Sequence, residues 1–164
     1  MKIAAFDLGS TWAIATNQLS AKAELLGDKA EAFHIDENPD RNRPKLARKR
    51  PEVLGSFAAT LAAMNDATSR LDIVVYERPF ARGQAATRLL WGMAGILEAA
   101  AHNAGVPVLD ITPAEIKKWA VGKGNADKAD MIEAAQLMGY GGDNEHEADA
   151  WCLLKFAMAT LTKE

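Results

Sequence analysis

Residues 71–77 read LDIVVYE, a β-branched and almost unbroken apolar run that ends on a glutamate. Apolar residues at consecutive positions suit a strand covered on both faces, the usual setting of a strand in a parallel sheet. Towards the N-terminus, residues 2–8 (KIAAFDL) form a second such run, interrupted by Asp7 and followed by Gly9-Ser10. Residues 11–18 and 29–35 predict two more strands, with turn signals near Gly27 and Asp28, so the chain is expected to open as an antiparallel meander. The segment 36–45, rich in Asp, Asn, Arg and Pro, predicts a loop. Helical spacing follows from about 51 to 69, with Pro51 in the first turn.

Beyond LDIVVYE, residues 84–104 predict a long helix with Leu89, Leu90, Met93, Ile96 and Leu97 on its apolar side and Gly105 as its stop. Val106 to Ile111 predicts a short strand, and helices are expected at roughly 113–120, 127–138 and 146–161. Three strands, a helix, then alternating strand and helix describe a mixed α/β sheet flanked by helices. No repeat or linker interrupts the pattern, so residues 1–164 are read as a single domain.

Hydrophobic residues make up 49% of the 164 and charged residues 25%, a globular balance that excludes a disordered chain. No apolar run is long enough to span a bilayer, so no membrane association is expected. Met1-Lys2-Ile3 lead straight into a strand, so no signal peptide is expected. A single cysteine, Cys152, excludes an internal disulfide and fits a cytoplasmic protein. With His34, His102 and His146 far apart and no second cysteine, no zinc site is expected. Net charge is −3, which by itself does not announce a nucleic-acid ligand. The local run RNRPKLARKR, residues 41–50, is nevertheless strongly basic, and Arg48, Lys49 and Arg50 are candidates for phosphate contacts. A solvated loop and helix start explains the run equally well.

Polar residues stand out where the pattern asks for apolar ones. Asp7 interrupts the first strand, Glu77 ends the fourth, and His146-Glu147-Ala148-Asp149 opens a helix that is otherwise largely apolar. His146 and Asp149 are three apart and share a helix face, whereas Glu147 points elsewhere. Carboxylates gathered at a partly buried site repel one another and raise each other's pKa unless a cation is present. Mg²⁺ prefers oxygen ligands, and paired ions can clamp both oxygens of an in-line phosphodiester hydrolysis. Taken singly, each residue is as easily a turn, a solvated strand end or a helix cap. Together, and in this order, they point to metal-dependent nuclease chemistry.

At these residues the chain resembles the RuvC family of Holliday-junction resolvases, within the ribonuclease H-like superfamily. The matching features are Asp7 with Gly9, Glu77 at the end of the fourth strand, and HEADA (146–150) opening the last helix. Ile116-Lys117, Val121-Gly122-Lys123-Gly124 and Ala126-Asp127-Lys128 are similar to the family's lysine segment, and Phe80 to the aromatic that stacks on an unpaired junction base. The resemblance implies a five-stranded mixed sheet, a homodimer, two Mg²⁺ ions per site and paired symmetric nicks across a four-way DNA junction, in recombination and repair. It implies metal binding by Asp7, Glu77, His146 and Asp149, and phosphate or transition-state stabilisation by Lys117 and Lys128. Lys123, between two glycines, becomes a candidate DNA contact, although a plain loop reads the same way. No small-molecule cofactor is implied.

Departures from the family's pattern are also present. Leu8 stands where many members have proline, and DLGS also resembles the first phosphate motif of sugar kinases and actin-like ATPases. Those proteins need a second lobe of similar size, for which 164 residues leave no room. His146 replaces a carboxylate and leaves Mn²⁺ as an alternative metal. Other readings are a YqgF-like nuclease acting on RNA, a nuclease for branched DNA in general, and a DNA-binding module without catalysis. For the dimer, the helix 84–104 offers a second face, Trp91, Gly95 and Ala99, beside its core-facing stripe.

Overall fold

A computed structural model describes residues 1–9, 11–17, 29–33, 45–63, 71–80 and 83–161, with backbone alone for 29–33, 45–49 and 63. Its strands are β1 (Ile3–Asp7), β2 (Trp12–Thr16), β3 (Lys29–Phe33), β4 (Ile73–Glu77) and β5 (Val108–Ile111). They form one sheet in the order β3-β2-β1-β4-β5. The meander β1-β2-β3 is antiparallel, whereas β4 and β5 join it in parallel. The two unbroken apolar runs therefore became neighbours at the centre of the sheet. Ile3, Ala4, Ala5 and Phe6 are all buried, as are Val74, Val75 and Tyr76.

Helices cover both faces. Ala4, Phe6, Ile14, Val74 and Tyr76 point to one layer, made by α1 (Lys45–Ala63) and α2 (Gln84–Asn103). Ile3, Ala5, Ala13, Ala15 and Val75 point to the other, made by α3 (Pro113–Val121), α4 (Lys128–Leu137) and α5 (Glu145–Leu161). Strand alternation alone divides the residues this way. The helix α5 packs its buried Ala150, Cys152, Leu153 and Leu154 in that second layer, which explains its largely apolar sequence. Cys152 is a core residue, as expected.

Two expectations need correction. The helix expected from about residue 51 begins earlier, since α1 starts at Lys45 and carries Arg48, Lys49 and Arg50 in its early turns. Pro51 consequently lies inside the helix rather than in its first turn. Its missing amide leaves the carbonyl of residue 47 without the usual bond. Val53, Phe57 and Leu61, spaced at helical intervals and buried against the sheet, stabilise the helix enough to tolerate that loss. Most of the expected loop 36–45, the turn at Gly27 and Asp28, and the expected helix end near 69 lie outside the described residues. Among the described residues, no helix is long and apolar enough to cross a membrane.

Candidate active site

The parallel register pairs Phe6 with Tyr76, so the next residues, Asp7 and Glu77, end adjacent strands side by side. Alternation turns both towards the α5 layer, since Ala5 and Val75 already face it. The first turn of α5 lies against them. Asn144 caps that turn: its Oδ1 accepts from the amides of His146 (3.0 Å) and Glu147 (3.1 Å). Neither His146 nor Asp149 caps the helix. Instead, His146 Nδ1 lies 2.8 Å from Asp7 Oδ2.

The electrostatics show how closely these groups are gathered. Burial pushes the Glu77 carboxyl up to about 8, and the charges of Asp7 and Asp149 add to the rise. Burial likewise pushes Asp149 up to about 7, with Asp7 the main charge against it. The Lys117 ammonium opposes both shifts. The His146 imidazole is raised from its ordinary value, chiefly by its hydrogen bond to Asp7 and against the effect of burial. Among the described residues, no three His, Cys, Asp or Glu side chains already form a closed metal site. The donor chemistry nonetheless fits a divalent cation: three carboxylates and one imidazole, with two of the acids raised by burial and mutual repulsion that a cation would relieve.

The lysines flank this cluster on capped helices. Thr112 and Glu115 form a capping box that starts α3, placing Lys117 in its middle. Lys117 Nζ donates to the Ala126 carbonyl at 2.9 Å and so holds the turn between α3 and α4. A second capping box, Asp127 with Asp130, starts α4 at Lys128. Lys128 is exposed and ion-paired with Glu145, and after that bond the charges of Asp149 and Asp7 also act on it. Lys123 is exposed and pairs with Asp130 at 2.7 Å. Phe80, three residues beyond Glu77, is 80% exposed, which excludes a core or rim-packed role.

The described part of the basic stretch, the backbone from Lys45 to Arg50, lies in α1 and not in the layer of the acidic cluster. Arg50 is exposed on α1, in the layer across the sheet from α5, and the side chains of Arg48 and Lys49 lie outside the described residues. Sequence reasoning missed Glu145, the partner of Lys128, whose only local signal is an acid in the first turn of a helix. It also left Glu147 without a contact, whereas its carboxylate accepts a hydrogen bond from Tyr140.

A mixed sheet in this strand order, with acids ending its two central parallel strands and more on the last helix, is a ribonuclease H-like fold. No family model matches the chain. It is similar to the crossover junction endodeoxyribonuclease RuvC of Corynebacterium glutamicum, 37% identical over 89 residues, 53% of this chain and 40% of that protein. It is also similar to the RuvC of Anaeromyxobacter sp. (strain Fw109-5), 32% identical over 117 residues, 70% of this chain and 54% of that protein. The chain thus spans about half or less of the length of these curated relatives. In fold it matches Thermus thermophilus RuvC with a TM-score of 0.66 at 22% identity, over 99% of this chain and 98% of that one. The same protein in complex with a Holliday junction substrate matches with a TM-score of 0.64, over 94% and 90%. In sequence the chain is thus similar to RuvC proteins over part of their length, and in fold over nearly all of it.

Proposed function

We propose that the chain is a divalent-metal-dependent endonuclease that resolves four-way DNA junctions by paired, symmetric phosphodiester cleavage. The observation that carries this reading is the convergence of Asp7, Glu77, His146 and Asp149 at one end of the central strands, with Lys117 and Lys128 beside them. Asp7, Glu77, His146 and Asp149 are the residues that would hold Mg²⁺ or Mn²⁺. When bound, two such ions supply an activated water and neutralise charge on the leaving oxygen.

The chain's own residues do the rest. To hold a cation, Glu77 and Asp149 would have to be deprotonated, and the cation would compete with His146 Nδ1 for the Asp7 carboxylate. Lys117, held by the Ala126 carbonyl, presents a fixed positive charge to the phosphate. Lys128 exchanges Glu145 for a phosphate oxygen, a small cost because exposed, solvent-screened ion pairs contribute little. Lys123 and the early turns of α1, with Arg48, Lys49 and Arg50, contact phosphates of the junction arms.

Two copies of the chain, each cutting one strand, match the approximate two-fold symmetry of a four-way junction. Trp91, Gly95 and Ala99 are all exposed on α2 and form the face proposed to meet the second copy. Glu98 on the same side spends its carboxylate on the Tyr76 hydroxyl at 2.5 Å, which removes one objection to an apolar contact there.

The test is incubation with a synthetic four-way junction, a matched linear duplex and an RNA–DNA hybrid, with Mg²⁺ and with EDTA. Paired symmetric cuts in the junction alone, abolished by EDTA, are expected. Cleavage of the hybrid in preference to the junction would move the reading to an RNA-directed relative.

Phe80 selects the branch point in this reading. An unpaired base offers a stacking face worth roughly 1–3 kcal/mol. Phe80→Ala should therefore reduce the preference for junction over duplex by about tenfold or more. At 80% exposure its loss should leave the melting temperature almost unchanged. Competition binding between junction and duplex, beside a melting curve, checks both; a large drop in stability with intact discrimination would contradict the role.

A further inference from the structure

Glu147 is the acid of the HEADA segment for which the proposed chemistry has no use. On α5 it sits one residue from His146, hence about 100° around the helix, and it turns away from Asp7. Its Oε2 accepts a 2.6 Å hydrogen bond from the Tyr140 hydroxyl. Tyr140 is buried, and its ring lies 5.9 Å from that of Trp151, one turn along the same helix face as Glu147. The Tyr140 amide donates to the Ala135 carbonyl at 2.9 Å, and Trp151 Nε1 donates to the Met138 carbonyl at 3.3 Å. One aromatic pair thus joins the C-terminal end of α4 to the first turns of α5.

The connection between the two helices is built around the same phenol. A Cβ at Gly142 would stand 2.5 Å from the Tyr140 hydroxyl oxygen, so the backbone there passes directly over it. Gln136 Nε2 donates to the Gly142 carbonyl at 2.8 Å and pins that backbone to α4. Two residues later comes Asn144, the cap that orients the amides of His146 and Glu147. The opposite end of α4 carries Lys128, paired with Glu145 beside His146. Both ends of α4 are therefore tied to the first turn of α5.

We propose that Tyr140, through its hydrogen bond to Glu147, is a positioning residue that sets the first turn of α5, and with it His146 and Asp149, for metal binding. This rests on the metal-nuclease reading above. The bond is outside the cluster of ligands, but it fixes the helix from which two of them project. Groups hydrogen-bonded directly to metal ligands change metal affinity by about 10–100-fold when removed, and a bond one step further out is expected at the lower end of that range.

The experiment is a titration of Mn²⁺ or Mg²⁺ followed by thermal melting of the whole chain, with single-turnover cleavage alongside. Tyr140→Phe keeps the ring and loses only the hydroxyl. It should raise the metal concentration for half-maximal stabilisation by about tenfold, with the metal-free melting curve close to that of the parent. Glu147→Ala should do the same, and the double variant should be no worse than either single one, since both remove one shared bond. Glu147→Gln retains an oxygen that accepts the phenol proton and should restore a near-parental midpoint, which separates the bond from the mere loss of a charge. If Glu147→Ala fails to fold, Tyr140→Phe and Glu147→Gln carry the comparison. Parental midpoints in Tyr140→Phe, or single effects that add in the double variant, would overturn the positioning role while leaving the nuclease reading intact. A parent protein without any metal-dependent stabilisation would overturn both.

Discussion

Asp149→Asn and Glu77→Gln should each lower single-turnover cleavage of a four-way junction by roughly a thousandfold or more, with junction affinity close to that of the parent. Affinity should survive because phosphate contacts spread over many residues dominate it, whereas cleavage needs the complete ligand set. The same substitutions should stabilise the metal-free protein. Near neutral pH the parent must either bury a carboxylate charge or hold a proton that solvent would take, as the rise of Glu77 to about 8 and Asp149 to about 7 records. A neutral amide of the same shape avoids that cost, so the melting temperature in EDTA should rise while activity disappears. Asp7→Asn should abolish cleavage as well, and it also removes the charge that His146 faces at 2.8 Å. Full cleavage by any of these variants would remove the acidic cluster from the mechanism.

The second large effect is expected in the pH dependence of stability. Glu77 and Asp149 are raised in the folded chain from 4.5 and 3.8 to about 8 and about 7. Between those limits the folded chain holds protons that the unfolded chain has released, so stability falls as pH rises through this window. His146 acts in the same direction, because the stability from its raised pKa is present below 6.5 and lost as pH passes its raised value. Asp110, Asp130 and Glu145 are held below their ordinary values by Arg78, Lys123 and Lys128, so their contribution is lost only under more acidic conditions. Those pairs are exposed and weak.

The metal-free melting temperature should thus fall by several degrees from about pH 5 to about pH 8. Excess Mg²⁺ or Mn²⁺ should flatten or reverse the slope, because metal binding displaces the same protons and strengthens as pH rises. Melting curves across that range in EDTA and in metal check both halves. A metal-free stability that rises with pH would mean that the two acids do not carry this strain.

Local physics in the sequence determined most of the elements. The strands IVVYE and IAAFD are apolar at successive positions because they are covered on both faces, and each betrays its site residue by a single acid at its end. The stops and starts around Gly105, Thr112-Pro113 and Asp127 are equally local, since caps are made by neighbours in the chain. The sequence did not contain who faces whom. Asp7 and His146 meet across 139 residues, Lys128 spends its charge on Glu145, and Tyr140 reaches Glu147, all through side-chain contacts set by packing of the helices on the sheet. The start of α1 was illegible because Pro51 argues locally for a helix start, whereas the helix begins at Lys45. Which side of the sheet receives the basic turns was likewise a tertiary decision, since strand alternation gives two faces but does not say which helix covers each.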